Sequence, residues 1–274
     1  MNAGFARISK DKFGPWALIT GASSGIGAEF ARQLAANGFN LLLAARRLPL
    51  LEQAGTRLAT QYGITYRTIQ VDLADPGFLA AITSATDDLD IGLVVSNAGD
   101  MILGEFLDSE PDMLFADMRL NVASHLGLTH HFGRRLAHRG GGGILLVSST
   151  AALQPVPYTA SYAAAKSYLL SLGEAAHHEL ARHGVTVTVL LPGPTDTAMV
   201  TRFSDTTGIS LHKPPMSLML MTPGQLVSEG LGALRTGRAR RIAGRANRAT
   251  AALTPRRMRT RMFTAMSKKA TKHT

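Results

Sequence analysis

Seven short strand-like runs, five of them apolar, separated by stretches of helical length, constrain this chain more than any other feature. They lie at residues 16–20, 40–45, 65–71, 91–96, 144–147, 185–191 and 240–243. Strands that alternate with helices cannot pair as tight hairpins. They pair in parallel, through right-handed crossovers that lay helices on both faces of one sheet. The expected architecture is therefore α/β, a doubly wound parallel sheet of about seven strands. Intervening helices are expected near 25–37, 49–61, 76–87, 111–137, from Ser161 onward, and near 223–236. Gly140–Gly143 reads as a flexible connection, and residues 198–222 read as irregular and Met-rich.

The first strand, Trp16–Thr20, runs into Gly21-Ala-Ser-Ser-Gly25-Ile-Gly27 and then a helix carrying Phe30, Ala31 and Leu34 on one side. Glycines let the backbone approach a ligand closely, and a helix N-terminus favours negative charge. Gly21, Ser23, Ser24, Gly25, Ile26 and Gly27 thus form a candidate phosphate cradle, which a ligand-free turn would also explain. The second strand ends in Arg46-Arg47, where folds that bind NAD place an acid for the ribose diol. Arginine suits a 2′-phosphate instead.

The run Ile144–Val147 ends in Ser148-Ser149, at the carboxyl edge where open α/β sheets hold ligands. On the following helix Tyr162 and Lys166 are four residues apart and share a face. An ammonium beside a phenol favours the phenolate, and a serine hydroxyl can hold a reacting oxygen. Asn97-Ala98-Gly99 closes another strand, and Asn121 interrupts a helix, where asparagine is a poor interior residue. That position suggests a kink or a polar contact. The adjacent pairs His130-His131 and His177-His178 point to different helix faces and do not suit a metal; none is expected.

Together these residues resemble the short-chain dehydrogenase/reductase family over about residues 14–245. The carriers are Thr20-Gly21-x-x-x-Gly25-x-Gly27, Asn97-Ala98-Gly99, Asn121, Ser149, Tyr162-x-x-x-Lys166 and Pro192-Gly193-x-x-x-Thr197, in that order. The resemblance implies a Rossmann-type fold and oxidoreductase activity between a nicotinamide and a carbonyl or secondary alcohol. It assigns Tyr162 as general acid or base, Lys166 as the group that lowers its pKa and binds the nicotinamide ribose, and Ser149 as holder of the carbonyl. Asn121 would carry a water toward Lys166. Asp72 and Leu73 match the adenine pocket, Asn97, Ala98 and Gly99 the adenosine side, and Pro192, Gly193, Thr195 and Thr197 the nicotinamide loop. NADP-binding members often carry a basic residue inside the glycine motif, and here that place is Ser24. An NADP(H) preference would rest on Arg46 and Arg47. In this family 198–222 looks like a substrate lid, and its methionines suit an irregular, lipophilic substrate.

Composition sets the remaining expectations. The chain has no cysteine, which excludes disulfides and thiol chemistry, and no apolar run long enough for a membrane helix. Its net charge of +10 arises at one end: residues 235–274 hold 13 Lys or Arg and no acid. Residues 1–13 read as a leader, 14–250 as the NADP-binding catalytic domain and 251–274 as a basic amphipathic tail. Thr254-Pro255 would open a final helix with Met258, Met262, Phe263 and Met266 on one face. Such a helix suits an anionic membrane surface, a partner subunit or solvent. A cytoplasmic homodimer or homotetramer with peripheral membrane contact is expected. A non-catalytic NADP-binding regulator is the alternative. Nucleic-acid binding is not expected, because the tail has only Phe263 for stacking.

Overall fold

The computed structural model describes residues 6–214, 216–261 and 264. Seven strands form one parallel sheet in the order β3-β2-β1-β4-β5-β6-β7. They are β1 (Trp16–Thr20), β2 (Asn40–Ala45), β3 (Tyr66–Gln70), β4 (Ile91–Ser96), β5 (Gly142–Val147), β6 (Val185–Leu191) and β7 (Arg240–Ile242). All strand pairs are parallel. Strands β1, β2 and β4 to β6 are almost wholly buried, which is why they read as continuous apolar runs and not as alternating ones.

Two apolar layers sandwich the sheet. One gathers Phe13, Phe30, Leu34, Leu51, Leu58, Leu226 and Leu231 from α1 (Lys10–Phe13), α2 (Gly25–Ala36), α3 (Leu48–Tyr62) and α9 (Pro223–Arg235). The other gathers Phe78, Ile82, Leu128, Phe132 and Leu136 from α4 (Phe78–Thr86) and α6 (Ser124–Arg139), with Leu170 and Leu180 of α7 (Ala160–Ala181) packed against them. The chain order reverses between β1 and β4. Side by side, their carboxyl ends leave the crevice where such sheets bind ligands.

Several boundaries depart from the sequence reading. Gly142 and Gly143 belong to β5, because a Cβ at either would fall within 2.5–2.8 Å of Leu136, Gly92 or Phe13. They are glycines for close packing, and the flexible connection shrinks to Gly140 and Gly141. The stretch 198–222 is not wholly irregular: α8 (Ala198–Thr207) and a 3-10 turn at Met216–Leu218 lie within it. Part of the leader is packed, with Ile8 and Phe13 buried and Ser9 capping α1. Helix α10 (Arg245–Leu253) runs across the expected boundary at residue 250. Residues 256–261 are helical after Thr254, while Met262, Phe263 and Met266 of the expected apolar face lie outside the described residues.

Candidate active site

The carboxyl ends of β1, β4, β5 and β6 converge on a cavity of about 670 Å³. At one end Gly21 and Gly25 adopt positive φ, and Ser24 precedes α2 without capping it. The first-turn N–H groups of α2 therefore face the cavity without a side-chain acceptor, as an anionic ligand requires. Gly27 does not line the cavity. A Cβ there would stand 2.2 Å from the Gly21 carbonyl oxygen, so it lets helix and turn close on each other. Thr20 Oγ1 accepts from the Asn97 and Ala98 amides at 2.9 and 3.1 Å, locking the end of β4 to that of β1.

Arg46 and Arg47 are exposed at the end of β2. Arg47 reaches back over the glycine turn, its Nη2 donating to Ser23 Oγ and Ser24 Oγ, each at 3.0 Å. Its guanidinium thus covers Ser24, the position in the glycine turn that lacks a basic residue. Asp72, Leu73, Ala98, Gly99, Pro192, Gly193, Thr195 and Thr197 also line the cavity. Nothing in this wall conflicts with a dinucleotide: a positive turn, a free helix N-terminus and two arginines meet at one end.

At the other end stand Ser149, Tyr162 and Lys166. Ser149 opens a 3-10 turn and accepts from the Ala151 amide. Lys166 is buried; its Nζ donates to the Val147 carbonyl at 3.2 Å and lies 5.5 Å from the Tyr162 ring centroid. Burial pulls its ammonium down to about 8, while Asp117 favours the charged form. The resemblance implied that Lys166 lowers the Tyr162 pKa. Here burial pushes the phenol up, a hydrogen bond with Ser149 opposes it, and the Asp117 and Asp100 carboxylates add to the rise. A desolvated phenol beside a desolvated ammonium stays protonated, which suits an acid.

Asn121 sits in a π-helical turn, Arg119–Ala123, between α5 (Pro111–Met118) and α6. The expected kink is this turn. Asn121 is fully buried, behind the cavity lining, and its Nδ2 donates to the Asp100 carbonyl at 2.9 Å and to Asp117 Oδ1 at 2.7 Å. Its Oδ1 has no partner. A Cβ on Gly99 would fall 2.7 Å from that oxygen and 3.1 Å from Lys166 Nζ, so both polar atoms stand against the same bare Cα.

Three features were not read from the sequence. Asp117 and His125 lie four residues before and after Asn121, a spacing that could have singled them out. His125 is buried between Ser96 Oγ and the Ala98 carbonyl, and burial pulls its pKa to about 3. Arg202 of α8 pairs with Asp100 at 2.6 Å across the cavity mouth; nothing local in the sequence links them. Of the expected lid residues, Met199, Val200, Phe203, Leu211, Met216 and Met219 line the cavity, whereas Leu218 is exposed and Met221 joins the core.

Comparison with known proteins agrees with this geometry. Residues 15–208 match the profile of the short chain dehydrogenase family. A 7beta-hydroxysteroid dehydrogenase from Collinsella aerofaciens is 30% identical over 220 residues, covering 80% of this chain and 82% of that protein. A solved 7beta-hydroxysteroid dehydrogenase superposes with a TM-score of 0.85 at 26% identity, over 93% of this chain and 98% of the other. A short-chain dehydrogenase from Sphingobium yanoikuyae, solved with NADPH, gives 0.76 at 30% identity, over 83% and 87%.

Proposed function

The chain belongs to the short-chain dehydrogenase family, oxidoreductases that act on CH–OH groups with a nicotinamide cofactor, and from that premise we propose that it is an NADP(H)-dependent reductase of a bulky, lipophilic ketone. The observation that carries the cofactor choice is Arg47 folded onto Ser23 and Ser24, with Arg46 beside it and no acid at the end of β2. The apolar lining from α8 and the following loop supports the substrate class, as does the likeness to hydroxysteroid dehydrogenases.

The cofactor, when bound, supplies the hydride. Gly21, Ser23, Ser24, Gly25 and Ile26 at the N-terminus of α2 would hold its phosphates, Arg46 and Arg47 the 2′-phosphate, and Asp72, Leu73 and Asn97 to Gly99 the adenosine. Pro192, Gly193, Thr195 and Thr197 shape the nicotinamide side. Ser149 donates a hydrogen bond to the substrate carbonyl oxygen and stabilises the charge that develops there. Tyr162, kept protonated by its burial, delivers its hydroxyl proton to that oxygen; in the reverse direction its phenolate takes the proton from the alcohol. Lys166 in its ammonium form makes that phenolate less costly. The Asn121 oxygen, aimed at the space beside Lys166, holds a water through which the proton is replaced. Lid residues Met199, Phe203 and Met219 exclude solvent.

The described residues contain no helix long and apolar enough to cross a membrane. The basic tail is assigned to peripheral contact with anionic lipid, and the assembly to a homodimer or homotetramer. A screen of NADPH oxidation over ketosteroids, 3-oxoacyl thioesters, retinaldehydes and small diketones tests the central reading. Turnover should be confined to the bulky lipophilic carbonyls. Turnover of the diketones alone, or with NADH in preference, would overturn it.

A further inference from the structure

Asp117 is a buried carboxylate that the reaction as described leaves without a task. It is 6% exposed and lies one helical turn before Asn121. Its Oδ1 accepts from Asn121 Nδ2 at 2.7 Å, and its Oδ2 accepts from Ser161 Oγ at 2.6 Å. Ser161 is in the first turn of α7, next to Tyr162. One carboxylate therefore grips both the asparagine and the start of the helix that carries tyrosine and lysine. Short bonds of this kind to an ionised acceptor are the strong ones.

An asparagine amide can turn over, exchanging oxygen for nitrogen, unless its neighbours forbid it. At Asn121 they do. A carboxylate can only accept, and so can the Asp100 carbonyl, so both amide hydrogens are claimed and the oxygen has one direction left. That direction is toward Gly99 and Lys166 Nζ, where Oδ1 stands unpartnered and buried.

We propose that Asp117 is a positioning residue for the reaction: it fixes the orientation of the Asn121 amide and the seat of Tyr162, so that the relay oxygen faces Lys166. The proposal rests on reading Tyr162, Lys166 and Asn121 as the proton-handling groups. The remaining charged and titratable neighbours are few. Asp100 is paired with Arg202, and His125 on α6 is held neutral between Ser96 and Ala98. Asp117 is thus a negative charge close to the Lys166 ammonium and favours that charged form.

Asp117→Asn keeps the volume but adds two donors. The new amide can donate to the Asn121 oxygen, which removes one of the two constraints on its orientation and leaves only the Asp100 carbonyl to hold it, so the relay oxygen is lost for part of the time. Reduction of a ketosteroid by NADPH, followed from pH 6 to 10, is the test, with thermal unfolding and NADPH fluorescence titration as controls. The variant should fold and bind NADPH within about threefold of the unmodified protein. Its kcat should fall at least about tenfold with little change in KM, given the usual 10²–10⁴-fold contribution of acid–base groups. The alkaline limb should move to lower pH, because a neighbouring negative charge has gone. In an Asn121→Ala background the same substitution should cost clearly less in kcat than in the unmodified protein, since residues acting through one another are not additive. Asp117→Ala, which removes the acceptor from both Asn121 and Ser161 without adding a donor, replaces the variant if it fails to fold, with the same expected loss of kcat. If Tyr162→Phe is inactive while Asp117→Asn retains kcat and pH profile, the role of Asp117 is overturned. If Tyr162→Phe stays active, the reading of the proton-handling groups on which it rests fails instead.

Discussion

At the scale of single residues the site is a problem in desolvation. Tyr162 and Lys166 are crowded by protein, and burial moves both toward their neutral forms, the phenol upward and the ammonium down to about 8. The consequence for activity has a definite sign. Below about pH 8 the lysine carries its charge and supports the tyrosine; above it the charge is lost while the phenol is still protonated. Reduction should be level through neutral pH and decline as pH rises past about 8, a limb absent from a Lys166→Met variant. A pH profile of kcat/KM for reduction reads this directly. Arg47 presents a second residue-scale case. A charge-assisted contact to a phosphate contributes about 1.5–3 kcal/mol, or about ten- to a hundredfold in affinity. Arg47→Asp should weaken NADPH by that factor, leave NADH little changed, and so shrink or reverse the preference in a pair of fluorescence titrations. Arg46→Asp should act in the same direction.

Elements place these residues, and here the sequence was legible to different depths. The carboxyl ends of β1, β4, β5 and β6 were readable because a buried parallel strand is a short apolar run with a polar residue at its end, as in Val147-Ser148-Ser149 and Val95-Ser96-Asn97. The partnership of Tyr162 with Lys166 followed from helical spacing. The π turn at Asn121 answers to the kink or polar contact that an asparagine in mid-helix suggests. What stayed hidden depends on contacts between distant segments. Gly142 and Gly143 look like a linker until Phe13 and Leu136 are packed against them. Helix α8 was concealed because Val200, Thr201, Ser204, Asp205, Thr206 and Thr207 are all weak helix formers. The ion pair between Arg202 and Asp100 joins residues 102 positions apart. That pair ties α8 to the loop after β4 across the cavity. Both side chains are substantially exposed, so it adds no more than about 1 kcal/mol to stability. Arg202→Ala should leave the melting temperature within about 2 °C, since 1 kcal/mol moves a chain of this size by ~2–4 °C. KM for the ketone should rise several-fold while NADPH affinity is retained; an unchanged KM would remove α8 from the account of substrate closure.

The whole molecule is a sheet whose one open edge of chemistry is the crevice between β1 and β4, with charge distributed unevenly around it. The basic excess lies in residues 235–274, and the structure anchors part of that segment beside the site. Arg259 donates to the Ala251 carbonyl at 2.7 Å and to the Leu153 carbonyl at 3.3 Å, in the turn that Ser149 opens. A tail held there and in contact with anionic lipid would bring the lid close to substrate dissolved in the membrane. Truncation after Thr254 should abolish co-sedimentation with phosphatidylserine vesicles at low salt, where each basic residue near the surface contributes about 1 kcal/mol. Full-length protein that remains in the supernatant would dismiss the membrane contact without touching the chemistry.

The claim on which the rest depends is that Tyr162 is the proton donor in an otherwise complete site. Tyr162→Phe removes the hydroxyl and keeps the ring, so a single comparison isolates the proton. NADPH should bind the variant within about twofold of the unmodified protein, and ketosteroid reduction at pH 7 should fall by at least about a hundredfold, the lower bound for acid–base catalysis. A variant that binds NADPH normally and keeps more than about a tenth of the rate would contradict the account.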